Sequence, residues 1–140
     1  MNKDVIISVK GTQQNDLGEV DIQELVTIGN YYAKNGAYFI IYSESEVTGM
    51  SGTTTSVKAE PKRVTLNRMG KSQHKQVFET GLRNPGNYIT PYGSMHMVVV
   101  SSKVEVSLTD TGGSINLEYE LEIENEKISD NKLSLTVREA

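Results

Sequence analysis

The stretch MVVVSSKVEVSLTDTGGSINLEYELEI, residues 97–123, decides how this chain folds. Val98, Val100, Val104, Val106 and Leu108 share one parity, and Ser101, Lys103, Glu105 and Ser107 share the other. Further on, Ile115, Leu117, Tyr119, Leu121 and Ile123 alternate with Asn116, Glu118, Glu120 and Glu122. Successive side chains of a strand point to opposite faces, so each run predicts a strand with one dry face and one wet face. Asp110-Thr111-Gly112-Gly113-Ser114 lies between them and is made of residues that suit a turn. The two runs therefore form a long antiparallel hairpin. Its register is open by steps of two, which sets Lys103 opposite Glu118, Glu120 or Glu122.

The remaining chain reads as more strands beside this hairpin. Val5, Ile7 and Val9 alternate with Asp4, Ser8 and Lys10 and predict a first strand ending at Gly11, followed by a polar loop over 13–19. In residues 20–34, Val20, Ile22, Val26 and Ile28 share a parity that Glu24 and Leu25 interrupt. Ile22, Leu25 and Val26 also fit helical spacing, but Thr27, Ile28, Tyr31 and Tyr32 favour a long strand with a bulge. Asn35-Gly36 is a strong hairpin signal. It leads into 37–47, where Tyr38, Ile40 and Tyr42 lie on one parity and Phe39 and Ile41 on the other, as in a strand covered on both sides. Strands over 53–60, 63–69 and 74–80 follow, separated by turns at Pro61-Lys62 and at 70–72. Asn84-Pro85-Gly86 makes 82–87 a turn by composition, with a short strand at 88–90 stopped by Pro91. Residues 124–131 turn back, and Leu133, Leu135 and Val137 close the chain from the dry face of a last strand.

Roughly nine or ten short strands, turn signals every 8–12 residues or so and no convincing helix mean a sandwich or a barrel. The links are short enough for hairpins, and closure of such a meander removes two open edges. The expected fold is all-β, a single closed antiparallel up-and-down β-barrel of about 8–10 strands spanning residues 1–140, in preference to a sandwich. No internal repeat suggests a propeller or solenoid.

Composition narrows the function. There are 140 residues and no cysteine, so disulfides, thiolate metal sites and a cysteine nucleophile are excluded. No secretory leader follows Met1, and the longest apolar run, 97–100, falls far short of the roughly 20 residues of a membrane-spanning helix. A soluble cytoplasmic protein with no membrane partner is expected. A formal charge of −4 argues against nucleic acid, which selects a basic face. Lys62, Arg63, Arg68, Lys71, Lys75 and Arg83 nevertheless share one segment, and Glu118, Glu120, Glu122, Glu124 and Glu126 another. Two solvated strand faces, in part opposed to one another, account for this; a basic patch for an anionic partner is the sharper alternative.

The run YFIIYSESEVTGMSGTTT at 38–55, Thr90-Pro91-Tyr92-Gly93, the 104–108 strand and the Gly112-Gly113 turn together resemble the YwiB-like family of small bacterial proteins of unknown function. The resemblance covers essentially the whole chain. It implies a calycin-like β-barrel, related in architecture to lipocalins and fatty-acid-binding proteins, in Gram-positive bacteria. It implies no activity.

Motifs with chemical meaning are few. Asp110-Thr111-Gly112 matches the triplet of aspartic proteases, whose chemistry needs two aspartates sharing a proton, but it sits where the hairpin needs its turn. Gly49-Met50-Ser51-Gly52-Thr53 lacks the lysine and the helix of a phosphate loop. No serine sits in a nucleophile elbow. His74 and His96 are far apart, and His96 shares the parity of Val98 and Val100, which predicts an inward core or lumen histidine and no metal site. Tyr42, Glu44 and Glu46 fall on one parity at a strand end. If that parity faces in, two carboxylates lie near the barrel mouth, and Arg68 or Arg83 is available to pair with them; otherwise they face solvent. Tyr88 and Tyr92 flank Pro91 and either line a rim or rest on it.

Two functions follow. The first is a binding module that takes a small, partly apolar, anionic molecule with Tyr42, Glu44, Glu46, Arg68, Tyr88 and Tyr92 as ligand-binding residues and no cofactor. The alternative is a structural or protein-interaction module with a filled barrel, for which a homodimer stays open. An enzyme would have only Glu44 and Glu46 as acid and base.

Overall fold

The computed structural model describes residues 3–44, 52–70 and 73–140. They form ten strands: β1 (Lys3–Asn15), β2 (Val20–Lys34), β3 (Ala37–Ser43), β4 (Thr54–Glu60), β5 (Arg63–Met69), β6 (Gln73–Phe78), β7 (Arg83–Thr90), β8 (Gly93–Thr109), β9 (Gly112–Ile123) and β10 (Glu126–Glu139). Each pairs antiparallel with the next, and β1 pairs with β10 from Val5↔Glu139 to Asn15↔Ser129, which closes the barrel. Closure follows from the meander: with hairpin links throughout, the first and last strands are the only two edges left, and pairing them removes both.

Local chemistry sets the turns. Asn35 and Gly36 both have positive φ, as a two-residue primed turn requires. Thr109 pairs with Gly112 across Asp110-Thr111, so the protease-like triplet is a hairpin turn. Tyr38 donates its hydroxyl to Asp110 Oδ1 at 3.0 Å and Tyr31 to the Thr109 carbonyl at 2.6 Å, while the two rings stack at 5.3 Å. Lys3 Nζ also reaches the Asp110 carbonyl. These contacts tie β1, β2 and β3 to the turn between β8 and β9. Inside, Ile7, Ile40, Leu66, Phe78, Ile115, Leu117 and Leu135 are buried, each stabilising the fold by about 1.5–3 kcal/mol through burial.

The wall is uneven. β1, β2, β8, β9 and β10 run for 12–17 residues, whereas β3 to β7 run for 6–8. The short side therefore has a low rim at the end opposite the Asp110 turn.

Several expectations are corrected. β1 continues to Asn15, because its polar tail pairs with both β2 and β10; Asn15 Oδ1 then caps the turn by accepting from the Leu17 and Glu19 N–H groups at 3.0 Å. β2 carries no bulge: its register with β1 is unbroken from Lys3↔Tyr31 to Gln14↔Val20. Its inward parity is Leu25, Thr27, Gly29 and Tyr31, so Val20, Ile22, Val26 and Ile28 point out. Residues 83–87 belong to strand β7, and the turn falls at Gly81, whose φ is +78°. The return after β9 is confined to Glu124 and Asn125, both at positive φ. β8 is bulged between Ser101 and Lys103, so the inward parity changes from Met97, Val99 and Ser101 to Val104, Val106 and Leu108. Before the bulge Val98 and Val100 lie on the outer face, and His96 is exposed, not inward. The bulge also settles the register, with Lys103 opposite Glu118 and 3.5 Å from its carboxylate.

Candidate functional site

Residues directly opposite one another in neighbouring strands share a face. Successive registers give Tyr42↔Thr55, Thr55↔Arg68, Arg68↔His74 and His74↔Tyr88. One inward residue from each of five consecutive strands thus forms a polar row just below the low rim. Glu44, two residues beyond Tyr42, stands on the same inward parity.

The row is organised around Arg68. Its Nε lies 3.7 Å from Glu44 Oε2, and the two side chains are only 18% and 2% exposed. Glu44 Oε2 also accepts the Thr55 hydroxyl. Arg68 Nη1 donates to His74 Nε2 at 3.1 Å; arginine can only donate, so the neutral imidazole carries its proton on Nδ1. Burial, and then the Arg68 charge, push the His74 pKa down to about 4, so the ring is neutral at physiological pH. Its other face stacks on Tyr88 at 5.0 Å. Burial foremost, then the Glu44 carboxylate, holds the Tyr42 phenol well above its ordinary range. Tyr119, buried edge-on against Phe78 at 4.8 Å, is likewise raised by burial, with Arg68 pulling the other way. Arg68 Nε has no hydrogen-bond partner among the described residues.

A cavity of about 430 Å³ opens on the outer side of the wall at this row: Met69, Lys75, Pro85 and Ile89 line it from the outward parity, and Arg68 and His74, of inward parity, bound it where β6 and β7 part. Its shape comes from the wall: β6 meets β7 only through Gln73↔Ile89 and His74↔Tyr88. Beyond that, β7 follows β8, with Gly81 N–H bonded to the Ser101 carbonyl at 2.8 Å, and Pro85 has no N–H to offer a ladder. Among the described residues lining the cavity, two are cationic (Arg68, Lys75) and none is a carboxylate.

Of the residues singled out from the sequence, Tyr42, Glu44 and Arg68 come together, and Tyr88 joins through His74. Tyr92 stands apart, wholly exposed in the turn between β7 and β8. Glu46 lies outside the described residues, as do Lys71 and most of Gly49-Met50-Ser51-Gly52. Arg83 pairs not with the rim glutamate but with Glu122, through two contacts of 2.8 Å. Thr55 and His74 were not anticipated as site residues, and Lys75 was named only as a member of the basic segment 62–83. Thr55 and His74 share the inward parity of Arg68 in their own strands, and only the registers across the adjoining turns link them.

The fold and the rim define a small β-barrel of the DUF1934 family, a domain of unknown function whose model matches residues 7–135; the chain belongs to that family. Among curated proteins it is similar to the uncharacterized beta-barrel protein YwiB of Bacillus subtilis (strain 168), at 24% identity over 132 residues, covering 94% of this chain and 91% of that protein. The crystal structure of YwiB from Bacillus subtilis superposes with a TM-score of 0.88 at 21% identity over 99% of this chain and 93% of the other, which shows the shared fold.

Proposed function

We propose that this barrel binds a small, partly apolar anion in the outer cavity where β6 and β7 part, with the anionic group facing Lys75 above the inward Arg68 charge and the apolar part lying along Met69, Pro85 and Ile89. One observation carries this: a cavity of about 430 Å³ where β6 and β7 part has two cationic residues and no carboxylate in its described lining, Lys75 on the outward parity and Arg68, held by Glu44 and His74, on the inward one. A lysine suits a carboxylate or phosphate as a point charge, and the Arg68 charge behind it adds to the attraction. Apolar walls with a few fixed polar groups are the ordinary make-up of a ligand site. The calycin-like architecture implied by the resemblance agrees with such a role by analogy only. A soluble, cytoplasmic setting fits the outer face of β10, where Lys132 and Arg138 stand opposite Glu118 and Gly112; a lipid-facing strand would carry apolar residues there.

Native mass spectrometry of protein purified from cells, set against the denatured chain, tests the proposal. The expected result is an added mass on the native protein that denaturation removes and that the Lys75→Glu variant retains weakly or not at all. Lys75 is exposed, so charge reversal there leaves the fold intact while weakening an anion on the order of tenfold. No added mass, together with no saturable binding of anilinonaphthalene sulfonate that Lys75→Glu weakens, would overturn it. The alternative, a protein-interaction module, rests on a separate observation: Val20, Ile22, Val26 and Ile28 are more than half exposed on the outside of β2.

A further inference from the structure

The cavity where β6 and β7 part is banded along the strands. From the rim toward the Asp110 end, the outward residues of β6 run Gln73, Lys75, Val77, and those of β7 run Ile89, Asn87, Pro85. Gln73 pairs with Ile89, and Lys75 pairs with Asn67 on β5. The register of the last two rungs, carried onward, sets Asn87 beside Lys75 and Pro85 beside Val77. Gly86 keeps the two chains close at that level: a Cβ there would lie 3.0 Å from the Lys75 carbonyl oxygen. These outward residues all line the cavity, together with Met69.

Three bands result. At the rim, Met69 and Ile89, 63% and 48% exposed, flank Gln73. In the middle, Lys75 stands between the side-chain amides of Asn67 and Asn87. On the far side, Val77 and Pro85 are apolar again. Successive outward residues of a strand are about 6.6 Å apart, so the two apolar bands lie about 13 Å from one another with Lys75 halfway between them.

The order of the bands selects among anions. A molecule whose anionic group is terminal, held at Lys75, lays its tail along one apolar band and leaves the other in water. A molecule whose anionic group is central lays an arm along each and takes both out of water. We propose, resting on the reading that this cavity holds an anion, that the ligand belongs to the second class: one anionic group between two apolar arms of about four or five carbons, the length of a roughly 6.6 Å step. Asn67 and Asn87 then face the anionic group from its two sides, each with an amide N–H₂ to donate.

Competition for bound anilinonaphthalene sulfonate tests this with two ten-carbon isomers of equal charge. In 2-butylhexanoate the carboxylate lies between two four-carbon arms; in decanoate it is terminal. The branched isomer is expected to displace the dye at a concentration on the order of tenfold lower, because its second arm also leaves water. Lys75→Glu is expected to weaken both isomers. Ile89→Ser and Val77→Ser, on opposite bands, are each expected to weaken the branched isomer several-fold, whereas decanoate responds to only one of them. An unchanged circular dichroism spectrum separates lost binding from lost folding, and the comparison of isomers on the wild-type chain needs no variant. Decanoate binding as tightly as its isomer, with Lys75→Glu weakening both, would overturn the central-anion class and leave the anion site standing. So would a branched isomer that neither serine variant weakens. Binding of neither isomer, or binding that Lys75→Glu leaves unchanged, would overturn the anion site and this inference together.

Discussion

Arg68 and Glu44 hold each other at the rim, and removing one is expected to cost more than removing both. In Arg68→Met the Glu44 carboxylate, 2% exposed, loses its cation and keeps among the described residues only the Thr55 and Tyr42 hydroxyls. Loss of one partner from a buried pair costs about 3–5 kcal/mol. Arg68 itself is 18% exposed, so water partly fills its place and the low end, about 3 kcal/mol, is expected. In Glu44→Gln the amide oxygen still accepts from Thr55, and Arg68 loses a counter-ion but keeps His74; about 1–2 kcal/mol is expected for a strained but partly solvated donor. The double variant leaves no unpaired charge and should lie within about 1 kcal/mol of Glu44→Gln. The coupling is then about 2–4 kcal/mol, well above the few tenths seen between independent sites. Urea unfolding followed by circular dichroism measures all four corners, provided the dependence on urea keeps one slope. A coupling below about 0.5 kcal/mol, or an Arg68→Met variant as stable as the wild type, would show that the pair is a surface contact and would remove the fixed guanidinium on which the binding proposal rests.

Three further outcomes follow from the same geometry. His74 titrates near 6.5 unfolded and about 4 folded, so the unfolded chain binds the extra proton between those values; stability is full above pH 6.5 and falls toward pH 4, by at most about 3 kcal/mol. His74→Gln should lose that part of the pH dependence, read as the difference between urea midpoints at neutral and mildly acid pH, with the carboxylates common to both proteins cancelling. Gly113→Ala would drive a Cβ into the Ser107 carbonyl oxygen at a φ of +144° and should cost about 3 kcal/mol or more, whereas Gly36→Ala, with nothing within 4 Å, should cost only the roughly 1–2 kcal/mol of its positive φ. Tyr31→Phe removes the hydroxyl bonded to the Thr109 carbonyl and should lower stability by about 1 kcal/mol; Tyr38→Phe, whose Asp110 contact is exposed, should change it by less than about 0.5 kcal/mol.

The barrel was legible because hairpin order is written locally. Alternation marked β5, β9 and β10, and Asn35-Gly36 and Pro61-Lys62 marked turns that the structure keeps. What alternation does not carry is a change of face within one strand. Val98 to Leu108 share a parity, yet the extra residue at Ser102 sends the first two outward and the last three inward, and His96 went to the wrong side with them. Nor does apolar character fix direction: Val26 and Ile28 look like a dry face, but Gly29 and Tyr31 fix the opposite one by meeting β3 and the lumen. Asn84-Pro85-Gly86 has turn composition and is extended, because one side of β7 is nearly free of β6 and tolerates a proline. At the rim, Tyr42, Glu44 and Arg68 were visible as inward candidates. His74 was not, since its place beside Arg68 depends on register across a turn that composition leaves open.

The distribution of rule-breaking residues narrows where function lies. Most inward positions from β8 round to β1 are apolar, as a small barrel filled by its own side chains requires. On the short side, five neighbouring strands each turn a polar or aromatic-polar group inward at one level, and beneath them Ile40, Val57 and Leu66 restore the dry pattern. A buried arginine, glutamate and uncharged histidine stabilise a barrel less than leucines of the same volume would. Local departures of this kind in a chain otherwise consistent with its fold concentrate at sites of function. Here the departure, the gap between β6 and β7, and the cavity without a carboxylate among its described residues all fall on one stretch of rim, and nothing about closing the barrel required any of the three.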